Sequence, residues 1–244
     1  MNRRIGYSLR ILVINPNTNP KNTKVIADAI SPYVSDDLIV DTVSPDKGPL
    51  GLESYYHNYM ASVNVHKRIR EAEKEGYDGI VIACYGDPGI EAAKELVNIP
   101  VVGITEASYA LARILCTKFL VIVSAETAVP RQVRYLKALG IPDYQFAVRP
   151  IGLTVLGVMS DRVSAKDLIA NNCQQSLEET GAELIVMGCS GFSGLRKDLE
   201  KQLDVPIIDP VVAGVQVCHA LIKMGLSQSK VSTYKTPPEF PVKE

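Results

Sequence analysis

Short apolar runs alternate with longer, charged, helix-periodic stretches along the whole chain. The runs at 10–14, 38–43, 79–83, 100–104, 118–123, 145–148, 184–187 and 205–208 are rich in Ile, Val and Leu and stop at turn residues. That is the pattern of strands buried on both faces. Helices are predicted over 21–32, 55–75, 88–97, 107–115, 130–139, 164–180, 194–203 and 212–224. Asp87-Pro88 reads as an N-cap with a first-turn proline, and Ser193 as the cap of the helix ending at Leu203. Strands alternating with helices predict an α/β fold of two four-stranded parallel sheets, each flanked by helices. The tail from Ser227, with Pro237, Pro238 and Pro241, reads as extended or mobile.

The pattern runs twice. At an offset of 105, Glu73, Gly76, Ile80, Val81, Cys84, Gly86 and Gly89 match Glu178, Gly181, Ile185, Val186, Cys189, Gly191 and Gly194. At an offset of 109, Asn15 and Thr18 face Ser124 and Thr127. The halves therefore predict two domains related by a pseudo-twofold axis, with a cleft between them. Loops at the carboxyl ends of parallel strands form the ligand crevice of such sheets. Asn15, Cys84, Ser124 and Cys189 all stand at such ends, and the two cysteines are expected to face each other across one substrate.

Composition narrows the functional classes. A formal net charge of −1 gives no footprint for nucleic acid or an anionic membrane. No apolar run reaches the ~20 residues of a spanning helix. Met1-Asn2-Arg3-Arg4 is basic, but no signal-peptide stretch follows, so a cytoplasmic location is expected. Five cysteines (84, 116, 173, 189 and 218) form no disulfide framework, and three scattered histidines (57, 66 and 219) predict no metal site. There is no Gly-x-Gly-x-x-Gly dinucleotide loop.

A lone cysteine at a strand end is ordinarily a small buried hydrophobe. Two of them, each followed by glycine at two and five residues, fit a chemistry that needs a pair. Inverting a carbon acid takes a base on one face and an acid on the other, and thiolate and thiol fill both roles. Helix N-termini beside Cys84 and Cys189 are expected to favour the thiolate. Backbone N–H groups of Tyr85, Gly86, Ser190 and Gly191 are expected to hold enolate charge. Cys116, Cys173 and Cys218 lack the glycine loop and read as packing. Asp87 reads as a cap rather than a catalyst.

Val13-Ile14-Asn15-Pro16-Asn17-Thr18, Ile82-Ala83-Cys84-Tyr85-Gly86-Asp87-Pro88-Gly89, Pro100-Val101-Val102-Gly103-Ile104 and Gly188-Cys189-Ser190-Gly191 resemble the aspartate/glutamate racemase superfamily, specifically its allantoin/hydantoin racemase branch. The resemblance covers about residues 10 to 227. It implies a cofactor-free, metal-free racemase that uses Cys84 and Cys189 and assembles as a homo-oligomer. It also implies that the final helix returns to the first domain. The expected division is then 1–105 with 210–227, 106–209, and a tail 228–244. Acidic amino-acid racemases of the superfamily carry an acid after the first strand and commonly Thr-His after the second cysteine. Here Asn15 and Ser190-Gly191 stand at those places. With Asn17 and Ser124 they suit a neutral cyclic ureide, allantoin or a 5-substituted hydantoin, as the small-molecule substrate. Glu53 resembles a residue of a family segment that lines the pocket. Two other readings stay open: a decarboxylase or maleate-type isomerase of the same superfamily, and a binding module with two α/β domains around a cleft.

Overall fold

The computed structural model describes residues 8–238. Met1–Arg4 and Pro241 lie outside them. Eight strands form among the described residues: β1 (Leu9–Ile14), β2 (Leu38–Val43), β3 (Gly79–Ile82), β4 (Val101–Gly103), β5 (Phe119–Val123), β6 (Phe146–Pro150), β7 (Leu184–Met187) and β8 (Ile207–Ile208). They make two parallel sheets of the same order, β2-β1-β3-β4 and β6-β5-β7-β8. Ile11 to Ile14, Ile80 to Ile82, Leu120 to Val123 and Val186 to Met187 are sealed from solvent on both faces, which is why these runs are continuously apolar. Ile14 pairs with Ile82 and Ile122 with Met187, so Cys84 and Cys189 each follow the end of an equivalent strand.

The helices are α1 (Pro20–Ile30), α2 (Tyr55–Lys74), α3 (Ile90–Leu96), α4 (Ile104–Leu115), α5 (Ala128–Ala138), α6 (Val155–Ser160), α7 (Arg162–Thr180), α8 (Arg196–Leu203) and α9 (Pro210–Met224). Helix α4 lies where the two halves meet, against β4, β7 and α9. Its Tyr109 and Ala112 share one core with Val81 and Val102 of the first sheet and Phe119, Leu184 and Val186 of the second. Helix α9 crosses back onto β1, β3 and β4. No helix among the described residues is long and apolar enough to cross a membrane.

Two local expectations are corrected. Asp87 caps a helix, but a different one. Helix α3 starts later, after Gly89, while the Asp87 carboxylate accepts the Thr105 and Glu106 N–H groups of α4, both at 2.9 Å. The α4 N-cap is Gly103, which has no side chain, and a Cβ there would stand 2.2 Å from the Asp87 carboxyl carbon. Glycine thus leaves the space in which a distant aspartate does the capping. Ser193 does not cap α8. Its hydroxyl donates to Asp209, which caps α9 and also accepts the Gly194 N–H. The segment after α9 is tied down where it begins. Gln228 spans the Val97 and Ile99 carbonyls and the Val101 N–H, and the Lys230 ammonium donates to the Lys94 and Glu95 carbonyls.

Candidate active site

Cys84 and Cys189 are free thiols and line one small cavity. Asn17, Ser124, Ser190, Tyr85 and Gly188 line it as well, together with Leu52, Ala128, Arg131, Gln132 and Val155. Its volume is about 40 Å³, room for little more than a water or two. Gly188 lets the Cys189 strand end sit tight against β5, because a Cβ there would meet the Ile122 carbonyl oxygen at 2.7 Å.

Of the residues expected to touch substrate, Asn17, Tyr85, Ser124 and Ser190 line the cavity beside the cysteines. Asn15 does not. It is fully buried, and its amide is used up on the Asn17 and Thr23 side chains and the Asn17 N–H. It therefore holds Asn17 in place. Asn22, also buried, reaches from α1 to the Ser190 hydroxyl at 3.4 Å and so ties the two halves together. Glu53 is another bridge and not a wall of this cavity: its carboxylate accepts the Val155 N–H at the start of α6 at 2.9 Å. Gly86, at φ 108, spends its N–H on the Thr105 hydroxyl at 2.6 Å. The Gly191 N–H points to the Cys189 sulfur at 3.4 Å, beneath the cavity. Tyr85 and Ser190 keep backbone N–H groups with no acceptor among the described residues.

Both thiols are harder to ionise than expected. Burial pushes Cys189 up to about 11, while the Gly191 and Phe192 N–H groups and the Arg162 guanidinium pull it down. Burial pushes Cys84 up more strongly, the Cys189 and Asp87 charges add to that, and Arg131 opposes it. The helix termini expected to lower them are not there: α3 starts only at Ile90, and Cys189 opens a single 3₁₀ turn, Ser190–Phe192. Arg162 was not anticipated. It donates to the Gly191 and Ser193 carbonyls and so braces the turn under Cys189. Cys173 and Cys218 are sealed in the core, and Cys116 is half-buried at the end of α4.

The family model described as Asp/Glu/Hydantoin racemase matches residues 11–218, a span that contains every residue of this cavity. The chain belongs to that family. It is 38% identical to a hydantoin racemase of Pseudomonas sp. (strain NS671), over 94% of this chain and 92% of that one. It is 33% identical to the solved allantoin racemase from Klebsiella pneumoniae, with a TM-score of 0.93 and 97% of each chain covered. The allantoin racemase from Pseudomonas fluorescens is also 33% identical, with a TM-score of 0.91 over 97% of this chain and all of that one.

In this racemase-family chain the loop after Cys84 is anchored by Asp87, which also accepts the Tyr135 hydroxyl at 2.9 Å. Burial pushes Asp87 from 3.8 up to about 7. The Glu106 charge adds to this, and the Thr105 and Glu106 N–H groups oppose it. The folded protein therefore keeps this proton to higher pH than the unfolded chain does. The associated stability is full below the unfolded value and is lost as pH rises through the folded one. Asp87→Asn is expected to remove that decline, read as a denaturation midpoint that no longer falls between about pH 4 and 7. An unchanged decline in the variant would assign it to another group.

Proposed function

We propose that the protein racemises a neutral five-membered cyclic ureide, allantoin or a 5-substituted hydantoin, without cofactor or metal. The observation that carries this reading is the pair of free thiols lining one cavity from equivalent strand ends. In each turnover one cysteine, as thiolate, takes the C5 proton, and the electron pair moves into the C4 carbonyl as an enolate. The other cysteine, as thiol, gives its proton to the opposite face. One proton leaves carbon and one arrives, and the two sulfurs exchange protonation states. The substrate acidifies its own C5–H through the adjacent carbonyl, so the step needs no redox partner. The Tyr85 and Ser190 N–H groups and the Ser124 hydroxyl are the donors at hand for the enolate oxygen. Each thiol has a guanidinium that favours the charged form, Arg131 for Cys84 and Arg162 for Cys189, but of the two Cys189 is the one that also has N–H support.

Asn17, Ser124 and Ser190 are neutral, which suits ring N–H and C=O groups rather than an ammonium with two carboxylates. Incubating one enantiomer of allantoin or of 5-isobutylhydantoin in deuterated water tests the reading. The expected result is loss of optical rotation above the spontaneous rate, with one deuterium gained per inversion. Glutamate and aspartate are expected to keep their rotation under the same conditions. Turnover of free glutamate at a comparable rate, or no inversion of any hydantoin, would overturn the proposal.

A further inference from the structure

The thiol cavity, at about 40 Å³, leaves no room for a side arm on a ring held between the sulfurs. A second, outer cavity of about 470 Å³ adjoins it, with Leu52, Tyr85, Arg131 and Gln132 lining both. The outer cavity is walled by the start of α2, through Tyr55 and Tyr59, and by α5, through Arg131 and Arg134. No Asp or Glu lines it, and neither guanidinium is in a salt bridge among the described residues. The Arg131 guanidinium lies 5.9 Å from the Tyr55 ring centroid, so its apolar contact is aromatic while its charge stays uncompensated. Gln132, nearly fully buried, is held by the Tyr109 hydroxyl at 2.8 Å, which fixes the shared wall between the two spaces.

Arg131, at the end of the first turn of α5, is also against the grain of helix electrostatics. The N-terminal end of a helix favours acids, and α5 has none in its first turn. Arg131 there, and Arg134 one turn on, both without acidic partners among the described residues, offer positive charge to an anion from outside.

We infer that the outer cavity is a specificity site for the C5 substituent of the substrate, and that it selects a side arm ending in a carboxylate. This rests on the racemase reading above, and it narrows the substrate class to hydantoins whose ring is neutral and whose arm is anionic. The arm leaves C5 past Leu52 and Tyr85, lies along the tyrosine wall, and ends between Arg131 and Arg134. Arg131, at the shared wall, is the inner contact, and the exposed Arg134 the outer one.

The experiment compares racemisation of 5-(2-carboxyethyl)hydantoin with that of 5-isobutylhydantoin, each from one enantiomer, by polarimetry. The expected ratio of kcat/KM is roughly 10-fold or more in favour of the carboxylate, the effect of a charge-assisted guanidinium contact. Raising the salt from low ionic strength should shrink that ratio, since Arg134 is exposed. Arg134→Gln should cut it roughly 2- to 5-fold, in line with an exposed ion pair. Arg131→Gln together with Arg134→Gln should bring it to about unity or below. Racemisation of the isobutyl compound with no preference for the carboxylate, or a preference untouched by salt and by both substitutions, overturns the anionic-arm assignment alone. Failure to racemise any hydantoin overturns the racemase reading, and this inference with it.

Discussion

Replacing Cys84 or Cys189 with serine is expected to lower racemisation about 10³- to 10⁴-fold, the upper end of general acid–base contributions. Serine keeps the side-chain size but ionises far above neutral pH, so it can neither hold the proton as a base nor give it up as readily as a thiol. The two variants should still differ. In the proposed two-base mechanism, a single remaining cysteine sees one face of the ring. It can remove the C5 proton from the enantiomer that presents hydrogen to that face and return a solvent-derived proton to the same face. Cys84→Ser is therefore expected to exchange the C5 hydrogen of one enantiomer with deuterium without inverting it, and Cys189→Ser that of the other. Polarimetry and mass analysis of both enantiomers, corrected for spontaneous exchange, read the outcome. A serine variant that racemises near the wild-type rate would sink the two-base mechanism. Exchange of the same enantiomer by both variants would show that the thiols do not serve opposite faces.

The second large effect is expected at Arg162. Its guanidinium donates to the Gly191 and Ser193 carbonyls, and its charge helps lower Cys189 from the level that burial imposes. Arg162→Met removes both functions and leaves two carbonyls without their donor. A rise of one unit in the Cys189 pKa is enough to cut the thiolate fraction, and with it kcat/KM near neutral pH, roughly tenfold. The alkaline rise of the pH–rate profile should move to higher pH at the same time. Both directions of racemisation should fall together, because the equilibrium constant between enantiomers is unity. Arg162→Lys keeps the charge but cannot fork to two carbonyls, so its profile should stay near the wild-type position at a reduced plateau. An unmoved profile in Arg162→Met would limit Arg162 to bracing the turn.

What could be read from the sequence follows from the range of the forces involved. Strands such as Leu120 to Val123 are apolar on both faces because both faces are covered, and a run of that kind is visible without any contact being known. The duplication was equally plain, since Cys84 and Cys189 carry their glycine loops with them. Contacts between residues far apart in the chain were not visible. Asp87-Pro88 carries every local mark of a helix start, but Gly103 lies against it and hands its cap to the next helix. Asn15 and Asn17 are the same residue type in the same loop, and only packing decides that one faces the cavity and the other the protein. Helix α6 is six residues long and holds Gly157, too short to show a period, though Thr154 accepts the Gly157 N–H as an N-cap should. Arg131 did leave a trace, since an arginine so near a helix N-terminus is electrostatically out of place, but nothing in the sequence marked Gln132.

The chain passes between the two sheets twice, once from α4 into β5 and once from β8 into α9. A single passage would let one half swing on the other like a pendant on a thread. Two passages, together with the core that α4 shares with both sheets, hold the halves far more firmly than one would. The Glu53–Val155 and Asn22–Ser190 bonds add two clasps between the halves beside the small cavity. The strand ends that carry the two thiols are thus held in register by covalent connection as well as by packing.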